Sequence, residues 1–193
     1  IKDKKYILSS FGVFIVLNFF IGLSINIPMP YIINNVLKLN SRYFGIIEAA
    51  IPMGMIIGAV MIKVIMSKYS YQKIIKAACI ILSVCMAAIG ISVILHFSVY
   101  SQTVYLIYFI FAMIFTGIAI SLIDIPIFNT LQQTIPDEFR GRVLSIGIST
   151  AKIVLPAALI MAGVLINITP AYLLPIISGI SLFIFSMLYI KTD

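Results

Sequence analysis

Six long apolar runs constrain this chain more than any other feature. A helix needs roughly 20 apolar residues to cross a hydrocarbon core of about 30 Å. Runs of that kind cover 6–33, 44–66, 74–95, 104 to about 133, 143–166 and 171–190. The connections are short and hold the punctuation, as in L-K-L-N-S-R at 37–42 and N-I-T-P at 167–170. The chain is 62% hydrophobic, whereas globular domains run at about 45–50%, so its natural solvent is lipid. We therefore expect an all-α integral membrane protein with six transmembrane helices.

The 13 Lys and Arg against 6 acids give a net charge of +7. A nucleic-acid binder would cluster such cations on one solvated face, but here they sit between apolar runs, and nucleic acid is set aside as a partner. Lys and Arg near span ends are instead retained in the cytoplasm. Lys2, Lys4, Lys5, Lys63, Lys68, Lys73, Lys76, Arg140, Arg142 and Lys191 fall on one side, and only Lys38 and Arg42 on the other. The expectation is a multi-pass protein of the cell (inner or plasma) membrane with both termini cytoplasmic. No cleavable signal peptide is visible, and the opening at Ile1 suggests a chain cut from something longer. Cys79 and Cys85 lie six apart on different sides of a helix, suited neither to a metal pair nor to a disulfide. His96 falls in an outer loop, where solvation is its simplest role.

The stretch T-I-P-D-E-F-R-G-R-V, at 134–143, packs four charges into six residues. Thr134 with Asp137 three residues on resembles a capping box, and the acids suit the positive end of a helix dipole. Arg140 and Arg142 then anchor the next span on the inside. Overlaying the chain on itself at an offset of 98 places Ile25 on Ile123, Asn26 on Asp124, Pro28 on Pro126 and Arg42 on Arg140. Such an offset divides the chain into repeat one, 6–95, and repeat two, 104–190. Each holds three spans, so the two run in opposite senses across the membrane. Inverted repeats with Pro-interrupted segments at matching positions mark secondary transporters and point toward their substrate site.

With these features the chain resembles the C-terminal six-helix half of a major facilitator superfamily transporter, most closely the branch that includes macrolide-efflux proteins. The loop between that family's tenth and eleventh helices reads Gln, Pro, then Arg-Gly-Arg-Val. Gln133, Pro136, Arg140, Gly141, Arg142 and Val143 supply that pattern here. The resemblance covers all six spans and implies that 1–5 end a central cytoplasmic linker. It implies, too, that an N-terminal six-helix half is the partner against which this one rocks. The family's other loop signature has a worn counterpart in M-S-K-Y-S-Y-Q-K at 66–73, which keeps Lys68 and Lys73 but has Ser67 and Ser70 where Asp and Gly stand in the family.

Ionisable groups within spans cost about 2.5–3.5 kcal/mol each at mid-bilayer on insertion scales, so they single out candidate site residues. Lys63 lies near a span end and can snorkel. Asp124 and Lys152 each lie ten positions from an edge of the 134–142 loop, about 15 Å at 1.5 Å per residue. Both reach mid-membrane, where they form either a structural ion pair or a proton or cation site in which Lys152 tunes Asp124. Glu48, about 9 Å below the outer surface by the same rise, is either interfacial or a second acidic site at a depth that Asn26 and Asn18 approach. Gly54 and Gly58 form a G-x-x-x-G pair for close helix packing, and Pro52, Pro126 and Pro156 are expected to kink their helices. The Met-rich run at 53–61 suits adaptable packing or a wall for greasy ligands.

One His and six acids assemble no nucleophile set, phosphate loop or metal cluster, so we expect neither an enzyme nor a cofactor. The reading is a proton-coupled exporter of amphipathic or cationic small molecules working by alternating access, with substrate class implied by the resemblance alone. Arg140, Arg142 and Lys68 stand as cytoplasmic gate or anchor, and Gly54, Gly58, Pro126 and Pro156 as packing or hinge positions. The alternative is a self-sufficient six-span channel or structural membrane protein.

Overall fold

The computed structural model describes the backbone of residues 2–94 and 101–190, and side chains from 7 onward within those limits. Leu95, His96 and Lys191 lie outside the described residues, so the outer-loop and span-end readings placed on them are not addressed. All regular structure among the described residues is helical: α1 Lys2–Ile21, α2 Pro28–Tyr31, α3 Ser41–Lys68, α4 Tyr71–Ile94, α5 Gln102–Thr134, α6 Asp137–Ile168 and α7 Leu173–Tyr189. Five helical segments are long and apolar enough to cross a membrane, as expected of a multi-pass membrane protein. The sixth apolar run is shorter than expected, a helix of 17 residues. Thr169 and Pro170 end the previous helix, and a turn at Ala171 and Tyr172 delays the start of α7.

The first span is continuous in space but not in hydrogen bonding. π-helical stretches at Gly22–Asn26 and Ile32–Val36 flank the short α2. Pro28 and Pro30 supply no N–H, so the carbonyls of Ser24 and Asn26 lose their ordinary partners four residues on. Both of those carbonyls lie in the first π-helical stretch, and in the second the Leu37 amide donates to the Ile32 carbonyl, five residues back, at 2.8 Å. By contrast Pro52, Pro126 and Pro156 sit inside helices that continue through them. One proline removes one bond, whereas two spaced by a single residue remove two within the same turn.

The packing order is an arc that does not follow the sequence. α3 packs on α5, α5 on α4, α4 on α7, α7 on the π-helical end of α1, and α1 on α6, while α1 also touches α5. α4 and α5 are therefore the most enclosed helices, with fully buried Leu82, Met86, Phe109, Met113 and Ile127. α3 and α6 stand at the two ends of the arc. Only 22% of the most apolar window of each is buried, against 50% for α4, and side chains such as Val60 and Ile153 face outward.

Glycines set how closely the arc closes. A Cβ on Gly54 would stand 2.1 Å from the Ile114 carbonyl oxygen, and one on Gly117 would stand 2.1 Å from that of Ile51. The expected G-x-x-x-G face is thus a real crossing point, with Gly58 against Ser121. Ser121 Oγ donates to the Met55 carbonyl across the same contact at 3.0 Å. Bonds of that kind average only about 0.6 kcal/mol in membrane proteins. Ser121→Ala is therefore expected to lower unfolding free energy in detergent by no more than about that amount.

The ends of α5 and α6 correct the reading of T-I-P-D-E-F-R-G-R-V. Thr134 is the last residue of α5, not a cap, and α6 begins at Asp137 with Pro136 at its N-cap and no side-chain cap bond. The fifth span is helical six residues before Val143, which leaves only Ile135 and Pro136 to turn the chain. Pro136 fits because its missing N–H falls where a helix start has no partner for one. Asp137 and Glu138 do occupy the first turn, as their charge favours, and Arg140 pairs with Asp137 one turn on. Exposed pairs of this kind are worth about 0–1 kcal/mol. Asp137→Asn should therefore leave stability nearly unchanged in a chemical unfolding titration.

On the opposite end, Asn40 caps α3 by accepting the Arg42 amide at 3.0 Å. The preceding Lys38 has φ 50°, a left-handed conformation that costs L-residues about 1–2 kcal/mol. Lys38→Val, adding β-branching there, is expected to destabilise by about that much again, while Lys38→Asn should be tolerated.

Candidate functional site

α1 and α5 touch over a small area, and a cleft of about 110 Å³ lies between them beside α4. α1 contributes Phe14, Asn18 and Ile21, α4 contributes Leu82, and α5 contributes Ile123 and Asp124. The walls are otherwise apolar. Asn18 lies one turn from Phe14 and donates its side-chain amide to the Phe14 carbonyl at 2.8 Å, which leaves its amide oxygen as an available acceptor. Asp124 is half-buried and has no ion-pair partner among the described residues, where Arg140–Asp137 is the only pair. An acidic group that lines an apolar cleft without a protein cation is suited to a proton or to a cation delivered from outside.

An aromatic contact bounds this cleft. The Phe14 and Phe128 rings meet edge to face with centroids 5.5 Å apart and planes at 80°. Phe14 is one turn from Asn18 and Phe128 one turn from Asp124, both toward the end of the bundle that bears Thr134. The edge-to-face geometry is a favoured one, worth about 0.5–1.5 kcal/mol beyond buried area. It joins α1 to α5 one turn from each polar group on that side.

Of the expected site residues, the fold brings Asp124 and Asn18 together and leaves the others elsewhere. Lys152 is exposed on α6, and α6 packs on α1, not α5. The expected Asp124–Lys152 neighbourhood is therefore absent: consecutive spans four and five do not pack side by side. Glu48 is exposed on α3, and Asn26 is exposed in the first π-helical stretch. Neither lines the cleft. Arg142 and Lys68 are exposed, Arg140 is half-buried, Pro126 is buried and Pro156 is exposed.

Sequence reasoning missed Phe14 and Leu82 as cleft residues, and Phe128 as the ring against Phe14, since aromatic and aliphatic groups in an apolar span carry no contrast. It missed Gly117 as well, although Gly117 and Ser121 repeat the small-x-x-x-small spacing of Gly54 and Gly58 and could have been found by it. Cys79 and Cys85 are both buried and unpaired on α4. Among the described residues no group of three or more His, Cys, Asp or Glu could hold a metal ion.

A scan against protein-family models, a search of curated proteins and a search of solved structures each returned no match.

Proposed function

We propose that this chain is one six-helix half of a secondary active transporter related to the major facilitator superfamily. It exports amphipathic or cationic compounds in exchange for protons. The observation that carries the reading is the cleft in which Asp124 of α5 and Asn18 of α1 line an otherwise apolar space. Those two helices are the first members of the two proposed three-span repeats.

The packing arc supports the repeat. Exchanging the repeats swaps α1 with α5, α3 with α6, and α4 with α7. Applied to the order α3, α5, α4, α7, α1, α6, the exchange returns the same order reversed. A bundle built from two inverted units behaves in this way, with its substrate site between the repeats. For α7 to count as the sixth span, its 17 residues must serve at about 26 Å. That is a few ångströms short of an average core, a mismatch that local thinning accommodates at modest cost.

In this reading both termini are cytoplasmic, Arg140, Arg142 and Lys68 anchor that side, and the sparsely covered faces of α3 and α6 seat an N-terminal half. Alternating access then moves the two halves about a shared cavity into which the Asp124 cleft opens. The proton and the exported cation compete for the Asp124 carboxylate, so binding one releases the other. Vesicles containing this chain alone as a monomer should show no proton-gradient-dependent efflux, while vesicles holding both halves should. Gradient-driven efflux by the monomeric chain would refute alternating access between halves.

A further inference from the structure

Between Glu48 and Asp124 the sequence holds no acidic residue, yet the turn joining α3 to α4 gathers lysines. Lys68 ends α3, and Lys73 and Lys76 stand on the first turns of α4 with only Tyr69 and Ser70 between the helices. Lys68 and Lys73 are exposed and Lys76 is half-buried. None is ion-paired among the described residues, where the one pair is Arg140–Asp137. The described acids at this end, Asp137 and Glu138, are on α6, which packs against α1 and not against α3 or α4.

Depth and surroundings indicate what neutralises them. Lys73 and Lys76 share a face at i, i+3 spacing, two and five residues into α4, or about 3 and 8 Å along it. That is headgroup depth for a helix that begins at the membrane surface. Below them the outward faces turn aliphatic, with Val64 on α3 59% exposed and Val84 on α4 60% exposed. Tyr69, 60% exposed at the turn, suits the interface between headgroups and water. A basic rim over aliphatic walls matches one ligand chemistry, a phosphate monoanion or dianion carried on acyl chains.

We propose that the α3–α4 turn is a binding site for an anionic phospholipid, whose headgroup phosphate is held by Lys68, Lys73 and Lys76 and whose acyl chains lie along Val64 and Val84. The site is separate from the Asp124 cleft and does not depend on transport. Each juxtamembrane lysine contributes about 1 kcal/mol toward an anionic leaflet, so losing three lowers affinity on the order of 100-fold.

The test uses the full chain in nanodiscs of phosphatidylcholine with increasing phosphatidylglycerol. Bound lipid is counted by native mass spectrometry after release into detergent. The native chain should retain phosphatidylglycerol in preference to phosphatidylcholine. K68Q/K73Q/K76Q should lose that preference, while K68R/K73R/K76R and the opposite-end variant K38Q/R42Q should keep it. Should the triple Gln variant fail to fold by circular dichroism, the single variant K73Q carries the comparison, with a loss of roughly fivefold expected. Equal retention of the two lipids by the native chain would overturn the proposal, as would a triple Gln variant with unchanged preference. Displacement of the lipid by millimolar inorganic phosphate would overturn it as well, because the site would then be reading free phosphate and not a lipid.

Discussion

Gly54→Ala is expected to destabilise the bundle by about 1–3 kcal/mol or more, whereas Gly45→Ala, in the same helix, is expected to stabilise it by up to about 1 kcal/mol. The two substitutions add the same methyl and the same gain in helix propensity. They differ in what the methyl meets. At Gly45 nothing lies within 4 Å, and at Gly54 the Ile114 carbonyl oxygen lies 2.1 Å away. Side chains can rotate aside, but a backbone oxygen moves only with its helix, so α3 and α5 must separate along their whole crossing. Separation also loosens Gly117 against Ile51 and stretches the Ser121 to Met55 bond. Equilibrium unfolding in detergent with all three proteins checks this. Equal stability of the two alanine variants would show that the crossing is looser than described.

On the proposed transport reading, Asp124→Asn is expected to reduce proton-driven transport by the two halves together at least 100-fold while leaving the bundle as stable as before, or slightly more so. A carboxylate at the centre of a span costs about 2.5–3.5 kcal/mol to insert, and among the described residues no cation pairs with Asp124. Removing the charge while keeping the shape relieves that cost, so a structural role and a functional one move stability in opposite directions. The two are separated by pairing a transport assay with an unfolding titration: loss of stability without loss of transport would remove Asp124 from the mechanism. The same pair of assays bears on Lys152. With α6 packed on α1 and not on α5, the effects of Asp124→Asn and Lys152→Ala should add within about 0.5 kcal/mol. A larger coupling would bring the two residues into one site.

Some of this was legible in advance. The ionisable residues were conspicuous against lipid-soluble neighbours, and Asp124 emerged by cost alone. Asn18 was named for its polarity and proved to share the cleft. Lys152 was placed beside Asp124 because the two lie at equal distances from one loop, an argument that assumes consecutive spans are neighbours. That assumption failed, because a turn of two residues, Ile135 and Pro136, fixes only where two helix ends meet and not which faces run together. The cap at Thr134 failed for a local reason: Pro136 supplies the fixed backbone angle a helix start needs, so α5 runs on through Thr134. The prolines divided by spacing, with the close pair Pro28 and Pro30 accompanying π-helical turns and the isolated ones absorbed.

By itself the sequence determined the solvent and the secondary structure, since long apolar runs must satisfy every backbone group internally and a helix is the local way to do so. It also determined which residues are costly in that solvent. Only the tertiary structure decided the partners. In an apolar medium no hydrophobic drive chooses between helix faces, so the choice falls to where small residues let backbones approach. Gly54 and Gly58 meet Gly117 and Ser121 there, and that contact, linking α3 to α5 out of sequence order, helps set which helices flank Asp124 and which leave Lys152 outside.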